Sequence, residues 1–139
     1  MNPDEKTLWK AAVRARENAH APYSGYRVGA ALSIVGSEAV ISGCNVENAS
    51  YGGTLCAERV AVCRAVAEHG PDTRISALVL VTATPAPPCG LCLQVLSEFA
   101  KGDLPVFLAT PSGIHRTYTL DDLLPIRFDN ANLEHDPHD

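Results

Sequence analysis

The sequence predicts an α/β protein, a three-layer α/β/α sandwich built on a mixed five-stranded sheet. Three observations lead there. Residues 26–35 and 39–46 are rich in small and β-branched side chains and are separated by Gly36-Ser37-Glu38, the signature of a hairpin. Helical and strand patterns then alternate along the chain, as crossover units demand. The run at 75–82 is almost wholly apolar, as in a strand covered on both faces.

The elements follow in order. Residues 4–19 read as a helix, with Asn2 as its cap, Pro3 in its first turn, and Asp4 and Glu5 placed well against the helix dipole. Leu8, Trp9, Ala12, Val13 and Ala15 give it an apolar face, and His20-Ala21-Pro22 ends it. Pro22-Tyr23-Ser24-Gly25 reads as a turn. After the hairpin, residues 47–55 form a loop. Residues 56–68 form a second helix, with Val60, Ala61, Cys63, Ala65 and Val66 largely apolar and Gly70-Pro71 as its stop. The proline-rich stretch 84–88 precedes a third helix at 90–100. Strands at 104–109 and 114–118 and a brief helix at 120–124 complete the pattern. Residues 1–139 are read as one domain, with an acidic, loose tail over about 130–139.

A chain of 139 residues can bury a real core, and 46% hydrophobic with 19% charged residues marks it as globular. The net charge of −5 argues against a protein that grips a phosphate backbone, and favours a small substrate of little charge. No apolar run approaches the ~20 residues of a membrane span. The first residues lack the basic-then-apolar order of a secretory signal, so a cytoplasmic location is expected. Five cysteines do not suggest a disulfide framework. In a reducing compartment, grouped cysteines more often bind metal or do chemistry.

The chemistry concentrates in two stretches, Cys56-Ala57-Glu58-Arg59 and Pro88-Cys89-Gly90-Leu91-Cys92, each at the predicted start of a helix. Zinc takes thiolates tetrahedrally, and a catalytic site keeps three protein ligands and one open position. Cys56, Cys89 and Cys92 supply three. The helix ends lower thiol pKa values and favour the ligating form. Three thiolates on Zn²⁺ carry a formal charge of −1, which the helix ends and Arg59 can offset. Glu58 sits two residues from a ligand, beside the metal without binding it, where a carboxylate can carry protons. Two plainer readings compete: a structural site with Cys44 or Cys63 as fourth ligand, or cysteines that merely fill the core. Cys44 in a strand and Cys63 on an apolar helix face both read as core packing. His135 and His138 in the tail read as solvated.

A ligand, one residue, a glutamate and then Pro-Cys-x-x-Cys is the pattern of zinc deaminases. With Ala21-Pro22-Tyr23-Ser24-Gly25-Tyr26-Arg27-Val28-Gly29-Ala30-Ala31-Leu32, Gly43-Cys44-Asn45-Val46-Glu47-Asn48-Ala49-Ser50-Tyr51-Gly52, Leu123-Leu124-Pro125 and Phe128, the chain resembles the small, homotetrameric class of cytidine deaminases over nearly its whole length. The resemblance implies that fold, one Zn²⁺ per chain, a homotetramer, and hydrolytic deamination of free cytidine and 2'-deoxycytidine to uridine and 2'-deoxyuridine plus ammonia, in pyrimidine salvage. It implies that Asn45 and Glu47 bind the sugar hydroxyls and that Tyr26, where the family usually has Phe, packs on the nucleoside. The Ala57 N–H and the Glu58 carboxylate would read the base edge. Phe128 would stack over the cytosine of a neighbouring subunit, and the Pro87 carbonyl would face the departing ammonia. Two positions depart from the family pattern. Leu93 stands where an arginine usually attends the thiolates, and Gly53 stands where a bulkier residue is common.

Other readings are a deaminase of another cytosine compound such as blasticidin S, a polynucleotide editor, or a zinc module without catalysis. The Asn45-Val46-Glu47-Asn48 pattern disfavours the first, the acidic balance the second, and Glu58 beside an open metal position the third.

Overall fold

The computed structural model describes residues 2–133. Its sheet has five strands in the order β2-β1-β3-β4-β5: β1 at Gly29–Ile34, β2 at Val40–Cys44, β3 at Ile75–Val81, β4 at Pro105–Thr110 and β5 at Gly113–Thr119. Only β3 and β4 pair in parallel; the other neighbours are antiparallel. Helix α1 at Glu5–Glu17 covers one face, with Leu8, Ala12, Ala31, Val79 and Val81 buried between them. Helices α2 at Ala57–His69 and α3 at Gly90–Phe99, with the short α4 at Leu120–Leu123, cover the other, around Leu32, Ile41, Val62, Leu78, Leu96 and Val106. The mixed sheet with helices on both sides agrees with the sequence reading.

This topology decides where a site can form. β1 is antiparallel to both of its neighbours, so β2 and β3 run the same way. α2 leaves the end of β2 and α3 leaves the end of β3, and both lie on one face. Their N-termini therefore emerge at the same sheet edge, outside the carboxyl ends of the strands, where α/β folds place their ligands. The start of β1 lies at that edge too.

Several boundaries differ from the sequence reading, for local reasons. The cap of α1 is Asp4, whose carboxylate accepts from the Thr7 N–H at 2.8 Å, rather than Asn2. β1 begins at Gly29 instead of residue 26, because the Asn45 side chain replaces the ladder there: its amide accepts from the Val28 N–H at 2.9 Å and donates to the Tyr26 carbonyl at 2.7 Å. The loop after β2 contains a turn of 3-10 helix at Tyr51–Gly53. Cys63 is exposed, against the expectation of core packing. The buried face of α2 is Ala57, Glu58, Ala61, Val62 and Ala65, and Cys63 lies off it. At the C-terminal end, Asn130–Asn132 forms a capped 3-10 turn, with Asp129 accepting from Ala131 N–H. The rest of the tail, including His135 and His138, lies outside the described residues.

Two glycines set the helix-to-sheet spacing. A Cβ on Gly29 would stand 2.0 Å from the Ala12 carbonyl of α1. One on Gly43 would stand 2.6 Å from the Ala57 carbonyl and 2.7 Å from the Ala61 nitrogen of α2. The obstacles are backbone, which cannot rotate away. Gly43→Ala should therefore destabilise the protein by about 1–3 kcal/mol, the usual cost of overpacking, and should displace the first turn of α2. Urea unfolding of the variant beside the parent measures this, and equal stability would show that the spacing is not tight.

Candidate metal centre and active site

The three cysteines that the sequence singles out come together. The Sγ atoms of Cys56, Cys89 and Cys92 all lie within 4.8 Å of one another, and those of Cys56 and Cys89 are 4.0 Å apart. Two thiolates on a tetrahedral zinc at ~2.3 Å stand roughly 3.8 Å apart, so the donor set fits that ion with small adjustments. Cys44 and Cys63 do not belong to the cluster, which leaves three ligands rather than four among the described residues. Cys56 and Cys89 are the N-caps of α2 and α3. Neither makes a side-chain capping bond, so neither sulfur is committed to its own helix. Cys92 sits in the first turn of α3, fully buried.

Without metal, three thiols at this distance share few charges. Cys56 is held down at about 5, first by its hydrogen bond with Cys92 and then by the Arg59 guanidinium. Cys92 is pushed far above its ordinary value by the same bond and by burial. Arg59 reaches the Cys56 sulfur at 3.5 Å and the Thr54 carbonyl at 3.3 Å through Nη2, while its Nε is buried without a hydrogen-bond partner. Leu93, at the position where the resemblance leads one to look for arginine, is buried in the core with Leu96 and Leu108. It contributes packing in place of charge.

Glu58 occupies the first turn of α2 with only 4% of its surface exposed. Burial raises its carboxyl to about 7, with the Cys56 thiolate adding to the shift. A cavity of about 230 Å³ opens in front of it, lined by Glu58, Cys56 and Cys89 together with Tyr26, Asn45, Glu47 and Pro87. A larger hollow of about 420 Å³ at the opposite end, where β3 and β4 begin, holds none of these groups. Chemistry rather than size thus marks the candidate site.

Glu47 and Asn45 reach the cavity with much of their bonding capacity committed. The Glu47 carboxylate accepts from the N–H groups of Tyr23 and Ser24, at 2.9 and 3.1 Å, and from the Ser24 hydroxyl. These bonds, the hydroxyl's foremost, lower its pKa and keep it ionised. Asn45 holds the Tyr26–Val28 backbone, which leaves one N–H and one lone pair for a ligand. Ala57 is wholly buried at the head of α2. Phe128 does not line this chain's own cavity and is 58% exposed. The sequence reading missed Val28, Thr54, Leu55, Leu80 and Thr82, which also line it. Thr82 carried a usable signal: it is the polar residue that ends an apolar strand at the carboxyl edge of the sheet.

A three-thiol cluster at paired helix ends, with a buried carboxylate beside it in a cavity, is a donor set suited to a zinc ion with a proton-carrying group at its side. The model of the cytidine and deoxycytidylate deaminase zinc-binding region matches residues 2–108. A cytidine deaminase of Halalkalibacterium halodurans is 45% identical over 125 residues, covering 90% of this chain and 94% of the relative. One of Sporosarcina psychrophila is 39% identical, covering 95% and 96%. The crystal structure of cytidine deaminase from Burkholderia pseudomallei superposes with a TM-score of 0.83 at 44% identity, covering 91% of this chain and all of that one. The chain belongs to the cytidine and deoxycytidylate deaminase zinc-binding family.

Zinc uptake should displace protons, since Cys92 keeps its own in the metal-free site. Titration of zinc into metal-free protein, by calorimetry in two buffers of different ionisation enthalpy, should report at least one proton released per ion. Apparent affinity should fall as pH is lowered, roughly tenfold per pH unit for each proton displaced. Tight binding with no proton release would mean that the thiols are not the ligands.

Proposed function

We propose that this protein is a hydrolase that converts cytidine and 2'-deoxycytidine, with water, to uridine and 2'-deoxyuridine plus ammonia, using one zinc ion per chain. The observation that carries the reading is the buried Glu58 carboxylate, two residues from Cys56 and in the same cavity as Cys56 and Cys89. Family membership and the cytidine deaminase names of relatives that match nearly the full chain support it.

Cys56, Cys89 and Cys92 hold the zinc, which when bound supplies the Lewis acidity that makes water a nucleophile near neutral pH. Glu58 accepts the proton that the attacking water gives up, passes it to the base ring, and finally delivers a proton to the departing amine. Its near-complete burial excludes bulk water from that transfer. The Ala57 N–H and Glu58 read the base edge, and the Pro87 carbonyl faces the departing ammonia. Glu47 and the free part of the Asn45 amide bind the sugar hydroxyls, and Tyr26 packs on the nucleoside. The substrate is uncharged, in keeping with the acidic balance of the chain; salvage of free pyrimidine nucleosides in the cytoplasm is the setting that fits. No helix among the described residues is long and apolar enough to cross a membrane.

Assembly is part of the proposal. Tyr26, Tyr51 and Leu55 lie exposed in the loops around the cavity, and Ile126 and Phe128 are exposed in the C-terminal segment. These exposed apolar side chains, at the cavity mouth and in the C-terminal segment, are groups that a second chain would cover. We assign them to a homotetramer in which Phe128 stacks on the cytosine in a neighbour's site.

The direct test follows the ultraviolet absorbance of cytidine, and then of 2'-deoxycytidine, with zinc-loaded protein. Wild type should consume both, and Glu58→Ala should lose about 10²–10⁴ in turnover, the span of general acid–base catalysis. Full activity in Glu58→Ala would remove the assigned proton carrier. No turnover by wild type with one zinc per chain would point to other cytosine compounds or to a non-catalytic module. Arg59→Gln should lower turnover more than it lowers zinc content, because it removes the side-chain cation that touches the Cys56 sulfur. Metal analysis beside kinetics separates the two, and unchanged turnover would leave charge compensation to the helix ends.

A further inference from the structure

Residues 125–128 follow α4 and make no backbone–backbone hydrogen bond among the described residues. Two side-chain contacts hold them instead. The Gln94 amide donates from Nε2 to the Phe128 carbonyl at 2.8 Å, and the Arg127 guanidinium pairs with Asp121. Both anchors are fixed on their own side. Gln94 is on α3, two residues beyond Cys92 and one turn past the cap Cys89. Asp121 is on α4, where its N–H donates to the Gly102 carbonyl at 2.9 Å. Its carboxylate occupies the space that a Cβ on Gly102 would need. Yet the segment so anchored turns its apolar side chains outward, with Ile126 at 92% and Phe128 at 58% exposure. A stretch held to the fold by polar contacts while its largest apolar groups face water is shaped to present those groups.

We propose that Gln94 is a positioning residue for the reaction, setting the backbone of Phe128 so that the ring meets a neighbouring subunit's nucleoside at the right place. The inference rests on the assignment of Phe128 to a neighbour's site. It adds a link between sites. The helix that carries Cys89 and Cys92 in one subunit also fixes the aromatic wall of the next subunit's site. Gln94 touches neither substrate nor metal in this scheme; it acts through the Phe128 carbonyl. Leu93, beside it in sequence, anchors the same helix turn in the core, so the Gln94 side chain extends from a rigid base.

The test is a double-mutant cycle on zinc-loaded protein, read by the steady-state kinetics of cytidine deamination, with zinc content and thermal unfolding measured alongside. Gln94→Met keeps the length and helix propensity but has no donor; Gln94→Glu keeps the shape and replaces the donor by an acceptor. Each should raise KM about fivefold, the worth of one net hydrogen bond, with kcat and zinc content nearly unchanged. Phe128→Ala should raise KM about as much or more. In the Phe128→Ala background, Gln94→Met should add nothing. Equal multiplication of KM in both backgrounds, loss of zinc from the Gln94 variants, or wild-type KM in Gln94→Glu would each overturn the positioning role while leaving Phe128 in place. Unchanged KM in Phe128→Ala would instead remove the assignment of Phe128 itself, and the role of Gln94 with it.

Discussion

Three sulfurs within 4.8 Å cannot all carry negative charge unless positive charge stands close by. Most of what distinguishes this fold around its site answers that constraint. Two helices begin there, so two sets of unpaired N–H groups and two positive dipole ends face the cluster. They can do so only because β2 and β3 are co-directional with β1 inserted between them, and because α2 and α3 lie on one face of the sheet. Close helix-to-sheet approach completes the arrangement. Gly43 lets α2 settle with its Ala57 carbonyl where any side chain would push it back, and Cys56 is the residue just before.

The same constraint bears on the one arginine that stands where the family resemblance suggests two. With Leu93 turned into the core, Arg59 is left to touch the Cys56 sulfur, and its Nη2 divides itself between that sulfur and the Thr54 carbonyl. Its Nε has no hydrogen-bond partner among the described residues, so what this guanidinium offers the sulfur is charge through one Nη2 contact rather than a full set of hydrogen bonds. The exchange has an evident structural return, since Leu93 adds apolar area to the turn of α3 that carries Cys92.

Much of this was legible in the sequence, because the signals are local. Hairpin punctuation, apolar runs and helix starts placed the five strands and four α-helices to within a few residues, and missed the two 3-10 turns. The spacing of Cys89 and Cys92 announced a single ion reached from one helical turn. What stayed hidden depends on contacts between residues distant in sequence. Asn45 reads as a sugar ligand, and nothing in its neighbourhood shows that its amide would stand in for a strand ladder and shorten β1 by three residues. Cys63 reads as core because apolar and charged residues are mixed around α2 with almost no helical periodicity, so the pattern does not choose a buried face. Leu80 looks like an ordinary strand residue until the sheet order places its end of β3 beside the cavity.

The C-terminal segment shows how polar contacts can serve an apolar purpose. Burial alone would have drawn Ile126 and Phe128 down onto the chain's own core, as it draws Leu120 and Leu124 just before them. Gln94 and Asp121 instead contact that segment from the side, at the Phe128 carbonyl and the Arg127 guanidinium. The isolated chain therefore carries exposed apolar area, which costs roughly 25 cal/mol for each Å² that could have been buried. Such a cost is recovered only where another surface covers the rings. The cavity around Glu58 meets the same condition from the opposite direction, since Tyr26 and Leu55 at its wall are half open to water. A half-open cavity wall and an outward-facing ring on one chain are the two surfaces that the proposed assembly brings together. On the proposed function, the catalytic unit is the assembly, with each chain holding a metal centre of its own and lending an aromatic wall to its neighbour.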